Sequence, residues 1–218
     1  YDCPSRRLED YLALLDRLQN AVPTTRIVFT ALPDWLDSPR FVPLARAYPG
    51  YVLQVHSLRL PDRVDAPVVL CDPHAAGRAI RRAAAIGVPF RVALPTYGSE
   101  ILRDASGRVI DVVSEDLPSP GSGAIANRTT VMADAPALSA LVAGLLANHP
   151  RALTGLVWFR LPVAGDRRNW TWETFEAVRQ GKPVAAHLEI TAAATGSGSH
   201  DIIITNAGNA PAPLPATV

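Results

Sequence analysis

Only two of the 218 residues are cysteine, Cys3 and Cys71. They have neither C-x-x-C spacing nor nearby histidines in a zinc-site pattern, so no disulfide framework and no metal site can be read, and both thiols are expected free and partly buried. Charge of one sign is equally scarce, since 21 Lys and Arg face 20 Asp and Glu for a net charge of +1. Without a basic stripe no nucleic-acid partner is expected, and Arg78, Arg81 and Arg82 fall at helical spacing, where they read as a solvated face. No apolar run approaches the roughly 18 residues of a membrane-spanning helix. The absence of G-x-G-x-x-G between a strand and a helix counts against a dinucleotide site, and no cofactor is implied. The chain opens at Tyr1 without an initiator Met, within what reads as a strand ending. A fragment is therefore expected, and its compartment stays open, an extracytoplasmic one included.

What is present is the composition of a folded domain, 48% hydrophobic and 19% charged, in a chain long enough for a full core. Leu8, Tyr11, Leu12, Leu15 and Leu18 follow helical spacing after a Ser5 N-cap, and Pro23 ends that helix. "RIVFTAL", "YVLQVHSL", "PFRVALPTYG" and "TGLVWFRLPV" are short, continuous and β-rich, as buried strands are. Helices are expected around Phe41 to Tyr48, from Asp72-Pro73 to Gly87, from Asp134 through Leu138, Leu141, Val142 and Leu145, and from about Trp170 to Gln180 with Trp172, Phe175 and Val178 inward. Residues 99–127, rich in Gly, Ser and Pro, read as a long excursion with a hairpin around Ser106-Gly107, followed by a short strand in "TTVMADAP". After Lys182-Pro183 the pattern changes to two β-like runs around a Gly/Ser turn, without a helix.

Alternation of strand and helix predicts a parallel α/β sheet. Polar and aromatic residues recur at the strand C-terminal ends, as in a (β/α)8 barrel of the TIM type. Six such endings can be counted: at Asp2, after Leu32, at His56, after Leu94, at Asp134 and at Arg160. The expectation is an incomplete barrel over residues 1–182, lacking about two N-terminal βα units, followed over residues 183–218 by the beginning of a β-rich domain.

Taken together, "YDCPSRRLEDYLALL", "TALPDWL", "LQVHSL", "RVALPTYG" and above all "GLVWFRLPVAGDRRNW" resemble the bacterial domain-of-unknown-function family 3142. The resemblance extends over essentially the whole chain. It implies a barrel similar to those of glycoside hydrolases followed by a β-sandwich-like segment, and it brings no established reaction.

Chemistry is therefore weighed residue by residue. Asp2 and Asp34 are the catalytic candidates, because glycosidic cleavage needs two carboxyl groups across one bond; the plainer roles are loop hydrogen bonding for Asp2 and a turn or cap for Asp34. Trp35 could stack on a sugar or fill the gap between loop and barrel. Gln54 and His56 share one face near the barrel mouth, where they suit a hydroxyl or a proton. Tyr97 could line a pocket or simply pack a loop. Glu115 and Asp116 lie in the excursion, and Asp134 reads as a helix cap. Trp158 and Arg160 point to one side of their strand and Phe159 to the other. If that side is the interior, Arg160 needs a carboxylate partner such as Asp2. Ion pairing to neighbouring loops is the expected role of Asp166, Arg167 and Arg168. Two functions follow: a carbohydrate-active barrel using paired carboxylates, and a non-catalytic glycan-binding or scaffold protein without a competent acid pair.

Overall fold

The computed structural model describes residues 3–58, 68–114, 125–196 and 198–212. Three of the buried runs form adjacent parallel strands, β1 (Phe29–Ala31), β2 (Tyr51–Gln54) and β3 (Phe90–Pro95). The fourth parallel strand, β7 (Leu153–Phe159), lies beside β3, so the sheet order is β1-β2-β3-β7 without reversal. Phe29, Tyr51 and Phe90 are register partners, and their rings stack at 5.9 and 5.7 Å across the sheet.

Among the described residues, five helices cover the face that carries these rings. They are α1 (Leu8–Ala21), α2 (Phe41–Ala47), α3 (Pro73–Ile86), α4 (Ala135–Ala147) and α5 (Trp172–Arg179). Leu8, Tyr11 and Leu15 of α1, Phe41 and Leu44 of α2, Ile80 of α3, Leu138 and Val142 of α4, and Phe175 and Val178 of α5 join Phe29, Leu53, Val92 and Leu94 in one buried core. The side chains that alternate to the opposite face are different. Thr30, Val52, Gln54 and Val157 are half-buried, Arg91 and Phe159 are exposed, and only toward the end of β3 do Ala93 and Pro95 bury that face.

Helix starts follow the expected chemistry where Asp precedes Pro. The Asp72 carboxylate accepts from the amides of His74 and Ala75, and that of Asp134 accepts from Ala137, satisfying donors that a helix start leaves free. Backbone amides hold the Asp72 carboxyl below its usual range. Helix α3 ends at Gly87 with φ 77, a conformation that favours glycine. Ser5 does not cap α1; it opens a 3-10 turn (Ser5–Arg7), and its side chain makes no capping bond.

The excursion builds its own sheet, and two expectations change. β4 (Gly98–Arg103) pairs antiparallel with β5 (Val109–Val113) and with β6 (Asn127–Met132). "TTVMADAP" therefore ends the excursion sheet and adds no strand to the parallel one, so four of the six counted endings belong to parallel strands among the described residues. The consecutive exposed residues Asn127, Arg128, Thr129 and Thr130 suit a surface strand better than a buried barrel strand. α5 also begins later than expected: Thr171 is the cap, Trp172 is 52% exposed, and Trp170 takes the buried place, its indole N–H donating to the Ala133 carbonyl at 2.9 Å.

In the tail, β8 (Leu188–Ala194) and β9 (His200–Asn206) form an antiparallel pair. Asparagines tie its base to α5. Asn206 accepts from the amides of His187 and Gly208, while Asn209 accepts from the Ala185 amide and donates to the Pro183 carbonyl; the Thr174 hydroxyl donates to the Asn209 carbonyl at 2.7 Å. Gly208 passes so close to the Ala185 carbonyl and the His187 amide that a methyl group has no room.

Two substitutions test this packing. The Tyr51 hydroxyl is buried with no hydrogen-bond partner among the described residues, so Tyr51→Phe should keep the fold and gain on the order of 1 kcal/mol in urea denaturation; a loss would show that the hydroxyl has a partner. Gly208→Ala should cost about 1–3 kcal/mol through overpacking and should speed hydrogen exchange at the amides of His187 and Asn209.

Candidate functional site

The parallel register brings the strand C-terminal ends to one edge, where an aromatic cluster forms. His56 follows β2 by two residues, Tyr97 lies between β3 and β4, and Phe159 ends β7. The His56 imidazole stacks on the Phe159 ring at 5.6 Å with planes 20° apart, and Tyr97 stands edge-on to both at 5.9 and 5.6 Å. His56 is 6% exposed, whereas Phe159 is 53% exposed and is followed by exposed Leu161 and Val163. Burial lowers the His56 pKa to about 4, and its Nδ1 is buried without a hydrogen-bond partner among the described residues. Burial likewise raises Tyr97 and, next to it, pushes the Cys71 thiol up to about 12, leaving it a protonated packing group.

The loop after β7 is held down by charge and by backbone pairing. Arg160 meets Asp166 at 2.7 Å and also donates to the Ser114 carbonyl. Asp166 accepts from the Arg168 amide, and the Arg168 guanidinium reaches Glu100 on β4 at 3.1 Å, a carboxylate shared with Arg128 at 3.5 Å. Asn169 bridges to Tyr97 and donates to the Arg160 carbonyl, which also accepts from the Thr96 hydroxyl. The Gly98 amide donates to the Arg168 carbonyl and the Trp170 amide to that of Thr96. Asp166 and Glu100 are therefore occupied in fixing the edge.

The structure sorts the expected site residues unevenly. Asp2 lies outside the described residues, as do Glu115 and Asp116. Asp34 is exposed on the 3-10 turn after β1 (Pro33–Asp37), at the same sheet edge. Trp35 is fully enclosed: its indole donates to the Cys3 carbonyl at 2.9 Å and meets Tyr11 edge-on, so it cannot stack on a sugar. Gln54 is half-buried and donates to the His56 carbonyl. His56 and Tyr97 come together as described. Trp158 must be corrected: it stands on the helix-covered side, edge-on to Phe175 at 5.3 Å, because α5 offers it an apolar partner there. Phe159 takes the open side instead. Arg160 does find a carboxylate, that of Asp166; the expected partner Asp2 lies outside the described residues.

Glu100, Asn169 and Phe159 were missed in the sequence. A carboxylate directly before the apolar pair Ile101-Leu102 was the available signal for Glu100, since a half-buried acid needs a cation. Among the described residues no cluster of three or more His, Cys, Asp or Glu could hold a metal ion, and no helix is long and apolar enough to cross a membrane.

The depressed His56 pKa carries a stability consequence. The unfolded imidazole, near 6.5, takes up a proton before the folded one does, so stability is complete above about pH 6.5 and is lost as pH falls toward 4. The loss should amount to about 3 kcal/mol. Unfolding free energies measured from pH 7 to 4 should show that loss in the wild type and a flatter profile in His56→Phe; parallel profiles would remove His56 as its source.

Two solved structures are similar to this chain at low identity. The Bacillus megaterium QM B1551 spore cortex-lytic enzyme SleL aligns at 12% identity and TM-score 0.46, covering 72% of this chain and 43% of its own. Chitinase ChiA74 from Bacillus thuringiensis aligns at 11% identity and TM-score 0.43, covering 95% of this chain and 47% of its own. The chain thus spans less than half the length of either. Comparison with curated proteins gives no match. The sequence matches the family described as domain of unknown function DUF3142 over residues 1–164, and the chain belongs to that family.

Proposed function

We propose that the strand-end edge is a saccharide-binding site in a barrel-type domain. The observation that carries this reading is the Phe159 ring, backed by His56 and Tyr97 and 53% exposed at the C-terminal edge of the parallel sheet. A rigid, half-exposed aromatic face suits the apolar face of a sugar ring, and in a (β/α) barrel this edge is where ligands bind. Two features support the barrel: the unreversed strand order, and helices whose buried residues join one face of the sheet. On this reading residues 1–182 are an arc of the barrel, and residues 183–218 begin a separate β-rich unit.

Hydrolysis, if the site performs it, falls to Asp2 and Asp34 as the paired carboxylates. The second reading is a glycan-binding protein without hydrolytic activity. It is favoured by a specific observation: Asp166 and Glu100, both ion-paired at this edge, serve arginines instead of facing a ligand.

Calorimetry and product analysis on a glycan panel, with the full protein, separate these readings. Phe159→Ala should weaken binding about tenfold, ~1.4 kcal/mol. Hydrolysis abolished by Asp2→Asn and Asp34→Asn, with binding kept, marks an enzyme; binding without hydrolysis in the wild type marks a binding protein. Failure of the wild type to bind any glycan, or undiminished binding by Phe159→Ala, would reject the site.

A further inference from the structure

Asp166 lies in a loop where Val163, Ala164, Gly165 and Arg167 are exposed, yet its own side chain is only 5% exposed. Both of its oxygens meet Arg160: Oδ2 lies 2.7 Å from one terminal guanidinium nitrogen, and Oδ1 accepts from the other at 3.2 Å. Oδ1 also accepts from the Arg168 amide at 3.0 Å. Taking a carboxylate and a guanidinium out of water costs about as much as their attraction returns, so such a pair is weak evidence for stability. Its effect on geometry is more direct. The guanidinium is a planar fork, and Asp166 and the Ser114 carbonyl, at 3.0 Å, both engage it. The residue before it is Phe159, whose carbonyl accepts from the Thr96 amide at 2.9 Å, while the Arg160 carbonyl accepts from the Thr96 hydroxyl and the Asn169 side chain. Main chain and side chain of Arg160 are thus both fixed, directly beside the exposed ring.

Resting on the saccharide reading above, we propose that Asp166 is a positioning residue: through Arg160 it holds the Phe159 ring in its place on His56 and Tyr97, and so sets the affinity of the edge for a sugar without touching the ligand. The aromatic cluster shows why the ring needs such a hold. Phe159 lies nearly parallel to the imidazole and edge-on to Tyr97, but at 53% exposure it has protein contacts on its inner side alone. A stacking platform works only if its face is presented at a constant angle, since a ligand that must first order its site binds more weakly. Backbone bonds to Thr96 fix where the chain runs, and the ion pair fixes how the residue after Phe159 is turned. The same pairing takes Arg160 out of ligand binding.

The test uses the full protein labelled with 4-fluorophenylalanine, the Phe159 fluorine signal being identified by its loss in Phe159→Ala, and calorimetry with cellohexaose and chitohexaose from the glycan panel. The pair is replaced as a whole, Arg160→Met with Asp166→Leu, because an apolar pair of similar volume keeps stability where a single replacement strands a charge. The double variant should melt within a few degrees of the wild type, shift or broaden the Phe159 signal without ligand, and bind the sugar about fivefold more weakly; in a Phe159→Ala background the same replacement should change affinity by less than about twofold. An unmoved Phe159 signal, or unchanged affinity, would overturn the inference. So would an equal loss in the Phe159→Ala background, which would mean that the pair touches the ligand itself. If the double variant does not fold, Asp166→Asn is read by the same signal and the same titrations. If the wild type binds no sugar of the panel, the saccharide reading is rejected, and the fluorine signal alone decides whether the pair holds the ring.

Discussion

The rest of the structure depends on the aromatic ladder Phe29, Tyr51 and Phe90. The three residues are register partners on successive parallel strands, and their rings stack on one another across the sheet. A slip of one residue in any pairing would carry every side chain of that strand to the other face, pulling a ring out of the stack and placing Thr30, Val52 or Arg91 against the helices. The ladder therefore fixes which residues meet the helices and which reach the strand ends. Five positions beyond the rings come Asp34, His56 and Pro95, all delivered to one edge by the same register. Parallel hydrogen bonding alone gives no such selectivity, since its ladder repeats along the strand. Tyr51 sits at the centre of the stack despite a hydroxyl with no partner among the described residues, which places the value of that side chain in its ring.

A second constraint acts at the edge itself. Phe159 ends a strand, where a side chain is usually free to move, but the residues after it are tied down from several directions. Arg160 is held by Asp166 and Ser114, Asn169 by Tyr97 and Arg160, and Arg168 by Glu100 on the excursion sheet. The excursion thus supplies both a carboxylate, Glu100, and a carbonyl, that of Ser114, to the loop that follows β7. It fixes the backbone of the edge that carries the Phe159 ring.

Much of the parallel fold was legible because buried strands and amphipathic helices have different periods. Asp72-Pro73 and Asp134 with Pro136 announced helix starts that the carboxylates do cap. The excursion hairpin at Ser106-Gly107 was legible from its turn residues, with Gly107 at φ 83. What misled was local similarity without a partner: "TTVMADAP" has strand composition, yet composition does not say which sheet a strand joins. Trp158 and Phe159 show the same limit at the site. Alternation correctly separates them to opposite sides, but which side faces the helices depends on Phe175, contributed by a helix that lies later in the chain. Trp35 was ambiguous for a related reason, since an indole suits a sugar and a loop core equally well until its N–H finds a backbone carbonyl.

Charge and spacing together bear on what the edge can do. Its ion pairs are spent on architecture, so the surface left outward at β7 is aromatic and carries a neutral histidine behind it, while the exposed carboxylate Asp34 lies after β1. Three strand intervals separate β1 from β7, about 14 Å at the usual spacing. Paired glycosidase carboxylates stand roughly 5–9.5 Å apart across a single bond, so on the proposed saccharide reading Asp34 and a sugar at Phe159 attend different linkages. A ligand that engages both must be an oligosaccharide running along the strand ends, with the Phe159 unit at least one residue removed from any bond Asp34 attends. A monosaccharide site and a hydrolytic site are therefore separate demands on this edge. On the proposed saccharide reading the aromatic cluster answers the first, and the second requires an acid beyond the carboxylates already held by arginine.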